Sequence, residues 1–235
     1  MSEVPESKLN SLSIDCVIFG FEDAQIKLLL IQRELDPHRG SWSLPGGFIK
    51  MEEGIHAASE RILKEMTGVD NLYLEQLGAF GEVDRYPLKR VVTIAYYALI
   101  KPGNYTLNPG PDASEARWFP LEECPPLPFD HPDILQSAIN TLQWKVQHQP
   151  IGFNLLPEKF TLLQLQELYE AILQVKLDKP NFRRKFTRLD LLEPLDEYQK
   201  AVSHRAARLY RFDEAKYKEL TETGFSLREL RLMGG

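Results

Sequence analysis

The chain has 235 residues, of which 43% are hydrophobic and 26% are charged, and its formal net charge at pH 7 is −6. These proportions are ordinary for a globular protein, and the length fits one large domain or two modest ones at roughly 100–200 residues per domain. No apolar run approaches the ~20 residues of a membrane-spanning helix, and the polar first residues lack the apolar segment of a signal peptide. The two cysteines have no metal-binding or disulfide spacing, so we expect a cytoplasmic protein with no membrane partner.

The first 100 residues predict β-strands interrupted by one helix. Residues 41–49 form a strand broken at Pro45-Gly46-Gly47, where we predict unusual backbone angles. A helix over residues 54–67 has apolar side chains at helical spacing and ends at Gly68. The other strands are predicted at 12–33, which holds a hairpin with its turn at 22–25, and at 71–80 and 90–100.

Two further elements complete a first domain. Residues 114–121 form a short strand, and residues 130–147 form a helix with Asp130 as its N-cap. Strands mixed with two helices indicate an α+β domain over residues 1–148.

Residues 149–235 have a different order of elements. A helix begins after Thr161, a basic helix over 179–189 begins after Asp178, and two short strands follow. Helix, turn, basic helix and β-hairpin is the order of a winged helix-turn-helix domain. No element is predicted after Asp213.

Charge is distributed unevenly along the chain. Residues 1–150 carry 13 basic and 21 acidic side chains, whereas residues 151–235 carry 15 and 13. Ten of these basic residues lie in 176–211, against five acidic ones. A basic segment on an acidic chain indicates a local surface for a polyanion. We therefore predict a double-stranded DNA operator as the partner of the second domain.

The basic helix supplies most of the candidate DNA contacts. In a winged helix the second helix enters the major groove, where Arg contacts guanine and Asn contacts adenine. The predicted DNA-binding residues are Lys179, Asn181, Arg183, Arg184, Lys185, Arg188 and, at the hairpin tip, Arg205. Two other interpretations stay open: a solvated surface helix, and a surface for an acidic protein partner.

Residues 47–69 resemble the Nudix box, G-x5-E-x7-R-E-U-x-E-E-x-G-U, in which U is aliphatic. The pattern is met by Gly47, Glu53, Arg61, Leu63, Glu65, Gly68 and Val69. The resemblance implies a Nudix-fold α/β/α sandwich for the first domain. It also implies that glutamates of the R-E-U-x-E-E segment would hold Mg²⁺, yet two of those positions are Ile62 and Met66.

The missing carboxylates argue against hydrolysis. Mg²⁺ prefers oxygen ligands in near-octahedral geometry, and in diphosphate cleavage it polarises the phosphoryl group. We expect Glu53 to pair with Arg61, which leaves Glu65 to hold an ion weakly at best. We predict no resident cofactor, no metal site and no catalytic residue; Glu53 and Glu65 are the residual Nudix carboxylates, and weak Mg²⁺ binding is the most that they would allow. The alternative is a Mg²⁺-dependent hydrolase of nucleoside diphosphate derivatives such as ADP-ribose.

Residues 12–213 as a whole resemble the Nudix-related transcription regulators, the NrtR-like family, in which a Nudix-fold sensor precedes a winged helix. The resemblance is carried by RVVTIAYYAL, PFDHPDIL, IGFNLLPEKFTLLQLQELYEAIL, DKPNFRRK and ARLYRF. The segments VIFGF, LGAFGEVDR and IAYYALI are closer to the arabinose-responsive AraR type. The resemblance implies a homodimeric regulator, a repressor, whose effector is a pentose such as arabinose or an ADP-ribose-like nucleotide.

The same resemblance suggests which residues surround the effector, because strand ends and loops border the cleft of a Nudix fold. Carboxylates beside an aromatic ring suit a sugar, whose hydroxyls bind polar groups. The predicted effector-binding residues are Arg33, Trp42, Glu82, Asp84, Arg85, Arg90 and Tyr96. For each of them alone, a surface ion pair or a core aromatic is an equally good interpretation.

Overall fold

The structure, a computed structural model, describes residues 11–149, 151–200 and 206–222. Within these ranges the chain divides into two compact units. The first comprises the residues up to Gly20 together with Lys27–Ala138, and the second comprises Phe21–Ile26 and the residues from Ile139 onward. Of the helices in the described ranges, none combines the length and the apolar character needed to cross a bilayer.

The first unit is built on a seven-stranded sheet. Its strands are β1 (Leu12–Glu22), β2 (Gln25–Arg33), β3 (Trp42–Ser43), β4 (Gly46–Phe48), β5 (Glu75–Phe80), β6 (Val92–Ile100) and β7 (Ala113–Pro120). The order is β3-β2-β1-β6-β5, with β4 paired to β1 and β7 paired to β2. The β1–β6 pair is parallel, while the pairs of β1 with β4, β2 with β3, β2 with β7 and β5 with β6 are antiparallel.

The predicted strands are confirmed, with one shortened at its start. The β1–β2 hairpin turns at Asp23 and Ala24, whose φ angles of 53° and 58° are those that tight hairpin turns require. The strand predicted from residue 71 begins only at Glu75. Asn71 has a φ of 56°, a left-handed conformation that a strand does not accommodate.

The predicted first helix is confirmed as α1 (Ile55–Thr67). Ala58, Ile62 and Leu63 are buried and join the core cluster beneath the sheet. Gly68 ends the helix with a φ of 79°, and its N–H donates to the Lys64 carbonyl oxygen at 2.8 Å. Glycine is favoured there because a left-handed C-cap carries no penalty without a Cβ.

The prediction of unusual backbone angles at Gly46 and Gly47 is wrong. Neither glycine has a positive φ. A Cβ on Gly46 would instead overlap the Asp15 carboxylate, and a Cβ on Gly47 would lie 3.3 Å from Ile62 Cγ1. These glycines let β4 approach β1 and α1 closely, so the requirement is steric space and not backbone conformation.

The predicted order of the second unit is confirmed. The helix predicted over 130–147 is confirmed as α2 (His131–His148), whose residues belong to both units. The second unit continues with α3 (Leu162–Leu173), α4 (Lys179–Arg188) and a hairpin of β8 (Leu192–Tyr198) and β9 (Arg208–Phe212). Thr161 and Gln164 form a capping box at the start of α3, and the Asp178 side chain accepts from the Asn181 N–H at the start of α4. A final helix, α5 (Glu214–Glu222), was not predicted.

Aromatic side chains fix α4 against α3. The ring of Tyr169 lies 5.7 Å from that of Phe182 and 5.0 Å from that of Phe186, and the two phenylalanine rings are 4.5 Å apart. All three side chains are buried. Burial of three aromatic rings with edge-to-face contacts gives α4 a defined orientation on α3.

Candidate functional site

The helix α4 has an aromatic buried face and a basic exposed face. At 100° per residue, Arg184 lies about 180° around the helix from the midpoint of Phe182 and Phe186. Lys179, Arg183, Arg184 and Arg188 are exposed. Their charges therefore point away from the domain core, as an anion-binding surface requires.

Asn181 and Lys185, the other two predicted DNA contacts on α4, are half-buried. Arg184 Nη2 donates to Asn181 Oδ1 at 2.9 Å, which links the two side chains on the exposed face. Burial, together with the charge of Arg184, lowers the pKa of Lys185. Arg205 lies outside the described residues, and the DNA contacts of all seven residues stay predictions.

The turn between α3 and α4 is held by a carboxylate that the sequence did not single out. Glu170 accepts hydrogen bonds from Gln166 Nε2 at 2.8 Å, Leu177 N–H at 3.0 Å and Lys176 Nζ at 2.9 Å. Burial alone would raise the pKa of Glu170, but these donors outweigh it and lower that pKa. The angle between the two helices is thereby fixed by hydrogen bonds as well as by packing.

The first unit contains a pocket of about 200 Å³ beside β1 and β4. Its polar lining is formed by Ser13, Asp15, Arg33, Asp36, Arg85, Asp112 and His131. Its apolar lining includes Phe48, Met66, Tyr86 and Phe129. Aromatic rings with a few converging charged groups are the usual composition of a small-molecule site.

The base of the pocket is a buried ion-pair network around Arg85. Its Nε and Nη2 donate to the two carboxylate oxygens of Asp130, both at 2.7 Å, and Nη2 also donates to Asp15 Oδ2 at 3.0 Å. Arg85 is 8% exposed. Asp130 directly precedes α2 as predicted, but its side chain pairs with Arg85 and forms no capping bond within the described ranges.

His131 adds a neutral ring to this network. Its Nδ1 accepts from the Leu44 N–H at 3.2 Å, so the ring proton is on Nε2, which lies 3.5 Å from Asp15 Oδ1. Burial raises the pKa of Asp15, but the hydrogen bond from His131 Nε2 and the charge of Arg85 outweigh burial and hold that pKa below its usual value. Asp15 is therefore a buried carboxylate anion.

Aromatic rings form the outer part of the pocket. Tyr86 lies 5.4 Å from Phe129 and 6.1 Å from Phe48, measured between ring centroids. The Arg33 guanidinium lies over the Phe129 ring at 5.2 Å, and Lys89 Nζ lies over the Phe48 ring at 4.0 Å. Planar faces and cations at one opening suit a ligand with both an aromatic ring and an anion.

Of the predicted effector-binding residues, Arg33 and Arg85 line this pocket. Trp42 packs edge-on against Phe119 at 4.7 Å, and Tyr96 is buried in the core. The other three, which are exposed, are Glu82, Asp84 and Arg90, and Arg90 donates to the Glu82 carbonyl oxygen at 2.7 Å. Their roles in effector binding stay predictions.

Sequence reasoning missed the pocket residues Asp15, Tyr86, Phe129 and His131. One signal was present: Asp15 is a charged residue inside the apolar stretch IDCVIFGF. A charge at the centre of a buried strand needs a partner and marks a site to inspect. The partners themselves lie 70 and 116 residues away, beyond the reach of any local pattern.

The Nudix-box carboxylates are both bound by Arg61. Its Nε donates to Glu53 Oε2 at 2.8 Å, its Nη2 donates to Glu53 Oε1, and its Nη1 donates to Glu65 Oε2 at 2.7 Å. The expected Glu53–Arg61 pair is thus confirmed, and it lowers the pKa of Glu53 to about 2. Ile62 is buried in the core, and Met66 lines the pocket.

Together these units define a two-domain protein that joins a Nudix-fold domain, which contains the pocket, to a winged-helix domain. The family model described as "NUDIX domain" matches residues 9–138, and the model described as "NrtR DNA-binding winged helix domain" matches residues 152–212. The chain belongs to the NrtR-like family of Nudix-related regulators.

Known relatives are similar to this chain over most of its length. The "ADPR responsive transcriptional repressor NtrR" of Acinetobacter baylyi is 37% identical over 205 residues, 86% of this chain and 81% of that protein. The crystal structure of Shewanella oneidensis NrtR with a 27mer DNA superposes with a TM-score of 0.70 at 31% identity, covering 88% of this chain and 95% of that one. The NUDIX domain of that NrtR complexed with ADP ribose gives a TM-score of 0.54 at 35% identity, covering 57% and 90%.

Proposed function

We propose that this protein is a DNA-binding transcriptional repressor whose Nudix-fold domain binds ADP-ribose or a closely related nucleotide. The observation that carries the proposal is α4, a short helix with its aromatic face buried and four cations exposed on the other faces. Such a surface binds phosphates and base edges together. The relatives described as an ADPR-responsive repressor and as an NrtR–DNA complex support the same assignment.

The DNA-bound form is proposed to be a homodimer. Winged-helix domains that bind palindromic sites do so as symmetric pairs, with one recognition helix in each half-site. The dimer is proposed to have two states, one that binds the operator and one that does not. An effector with different affinities for the two states shifts the equilibrium between them. ADP-ribose would act in this way.

The pocket chemistry supports a nucleotide effector. Tyr86 and Phe129 offer ring faces for a planar base, Asp36 and Asp112 can accept from ribose hydroxyls, and Arg33 supplies positive charge. The ADP ribose complex of the related S. oneidensis domain supports the same ligand class. A pentose, the effector of the AraR type, would use only the carboxylates and one ring, so it serves as the competing ligand in the experiment.

Binding is proposed to occur without hydrolysis and without a resident metal ion. The Nudix box holds Mg²⁺ through the glutamates of its R-E-U-x-E-E segment, but at two of those positions Ile62 and Met66 contribute no oxygen. The remaining donors, Glu53 and Glu65, are both occupied by Arg61. The donor set therefore does not fit Mg²⁺, which prefers near-octahedral oxygen ligands. A hydrolase would require Arg61 to release both carboxylates.

A DNA-binding measurement tests the repressor assignment. Fluorescence anisotropy with the DNA upstream of the gene should give sequence-selective binding that Arg184→Ala weakens by about 1–3 kcal/mol, the range for a base-contacting arginine. Arg117→Ala is the matched control, because Arg117 is exposed on the first unit and pairs with Glu115. Equal binding to unrelated DNA at moderate salt would contradict the proposal.

A ligand titration tests the effector. Isothermal titration should show binding of ADP-ribose, with or without EDTA, and no binding of arabinose. ADP-ribose should then change the anisotropy of the DNA complex. Release of AMP from ADP-ribose that requires Mg²⁺ and is lost on Glu65→Gln would establish the hydrolase instead.

A further inference from the structure

The two arginines that line the pocket differ in how their charges are balanced. Arg85 donates three hydrogen bonds to two carboxylates, Asp130 and Asp15, and the adjacent His131 ring is neutral. One guanidinium therefore faces two carboxylates, and the base of the pocket is net negative. A phosphate group brought to Arg85 would meet two like charges within hydrogen-bonding distance of the same side chain.

Arg33 is in the opposite situation. Its Nε donates to the Pro37 carbonyl oxygen at 3.0 Å and its Nη2 donates to the Leu35 carbonyl oxygen at 3.4 Å, so its hydrogen bonds are to neutral groups. Among the residues that the structure describes, no carboxylate lies within 4.0 Å of this guanidinium. Burial lowers the pKa of Arg33, because desolvation of its charge outweighs the opposing influence of Tyr86, Asp15 and Asp36.

We propose that Arg33, and not Arg85, binds the anionic diphosphate of the effector, and that Arg85 is a positioning residue for the base of the pocket. The inference rests on the proposed nucleotide effector and says which pocket cation recognises it. The guanidinium lies over the Phe129 ring, and this cation–π contact adds no anion to its surroundings. An incoming anion would supply the balancing charge that Arg33 lacks.

The same charges orient the rest of the ligand. Asp15 at the base and Asp36 and Asp112 in the wall exclude a second anionic group from those positions but accept from hydroxyl donors. The diphosphate is therefore assigned to Arg33, and the hydroxyl groups are assigned to the carboxylates. A ligand without phosphates, such as adenosine, should bind without the help of Arg33.

Isothermal titration of three ligands into four proteins tests this assignment. The ligands are ADP-ribose, inorganic pyrophosphate and adenosine, and the proteins are the wild type, Arg33→Gln, Arg33→Lys and Arg39→Gln. Arg39 is the matched control, because it lies on the loop that follows β2, is exposed, pairs with Glu34 at 2.8 Å and does not line the pocket. Thermal denaturation of each variant verifies that it is folded.

Arg33→Gln should weaken ADP-ribose and pyrophosphate about ten- to hundredfold, as expected for the loss of hydrogen bonds to a charged group. Arg33→Lys should restore part of the affinity, and Arg39→Gln should change nothing. Adenosine affinity should be equal in all four proteins, whereas disruption of the loop by Arg33→Gln would weaken adenosine as well.

The outcomes separate this inference from the proposed effector. Unchanged binding of ADP-ribose to Arg33→Gln overturns the inference, and so does an equal loss for adenosine. A wild type that binds pyrophosphate through Arg33 but does not bind ADP-ribose supports the inference and contradicts the effector. A wild type that binds neither anion overturns both.

Discussion

Replacing Arg85 by methionine should destabilise the protein more than any other single removal of a surface or pocket charge. Methionine has a similar length and no charge, so it leaves the packing volume largely filled. It also leaves Asp15 and Asp130 without the guanidinium that donates three hydrogen bonds to them at 2.7–3.0 Å. Asp15 is 6% exposed, so little of its carboxylate is hydrated.

The expected magnitude follows from this geometry. Removal of one partner from a buried ion pair costs about 3–5 kcal/mol, because the carboxylate that remains keeps its desolvation penalty. The total stability of a domain is about 5–15 kcal/mol, so Arg85→Met should remove about a fifth or more of the free energy of unfolding. Adding Asp15→Asn and Asp130→Asn to Arg85→Met should recover part of the loss, since the buried groups are then uncharged.

The dependence on pH gives a second, independent signature. In the wild type the pKa of Asp15 is lowered, so its contribution to stability is present above its unfolded pKa of about 3.9 and is lost as the pH falls through the lower folded pKa. Without Arg85 one of the groups that offset burial is lost, so that pKa is higher than in the wild type and protonation relieves part of the penalty. The difference in stability between wild type and Arg85→Met should therefore be smaller at pH 4.5 than at pH 7.

Urea denaturation followed by tryptophan fluorescence at the two pH values measures both effects. The control is Arg117→Met, which removes an exposed arginine paired with Glu115 and should cost less than about 1 kcal/mol. A loss below about 1 kcal/mol for Arg85→Met, or a difference that grows on acidification, would refute the assignment of Arg85 to a buried, doubly paired site.

Three further changes have defined outcomes. Glu53→Gln should lower the melting temperature at pH 7 but not near pH 2, because Arg61 depresses the pKa of Glu53 to about 2 and its contribution is lost as the pH falls to that value. Thr161→Ala should cost about 1 kcal/mol in urea denaturation, since it removes the capping box of α3. Phe182→Ala should lower the free energy of unfolding by about 3–5 kcal/mol. It should also abolish the anisotropy change with DNA, while calorimetry still shows ADP-ribose binding. Loss of both DNA and ADP-ribose binding would contradict this expectation.

Sequence patterns located the elements whose signals are local. The α3 and α4 caps follow from Thr161 and Asp178, the end of α1 follows from Gly68, and the buried face of α4 follows from Phe182 and Phe186 at helical spacing. Each of these signals lies within a few residues of the feature that it predicts. The short helix α5 was missed because its sequence is mostly polar and contains no comparable apolar repeat.

The candidate site was only partly predictable, because its geometry depends on long-range contacts. Arg85 and Arg33 were both predicted to contact the effector, and nothing local to either residue distinguishes them. Arg85 meets Asp130, 45 residues away, and Asp15, 70 residues away. Only the fold shows that Arg85 pairs with two carboxylates, whereas Arg33 pairs with no carboxylate among the described residues.

The partners of each arginine separate structural roles from binding roles throughout this protein. Arg61 and Arg85 each hold two carboxylates, and removing either should change stability first. Arg33 and Arg184 bond only neutral oxygens in the described structure, so their charges remain available to an anion. Salt screens exposed charges more strongly than partly buried ones, so anion binding at Arg184 should weaken with salt more steeply than anion binding at the partly buried Arg33. Raising the salt concentration should therefore weaken DNA binding by a larger factor than ADP-ribose binding, and an equal dependence would mean that the two anions meet equally exposed cations.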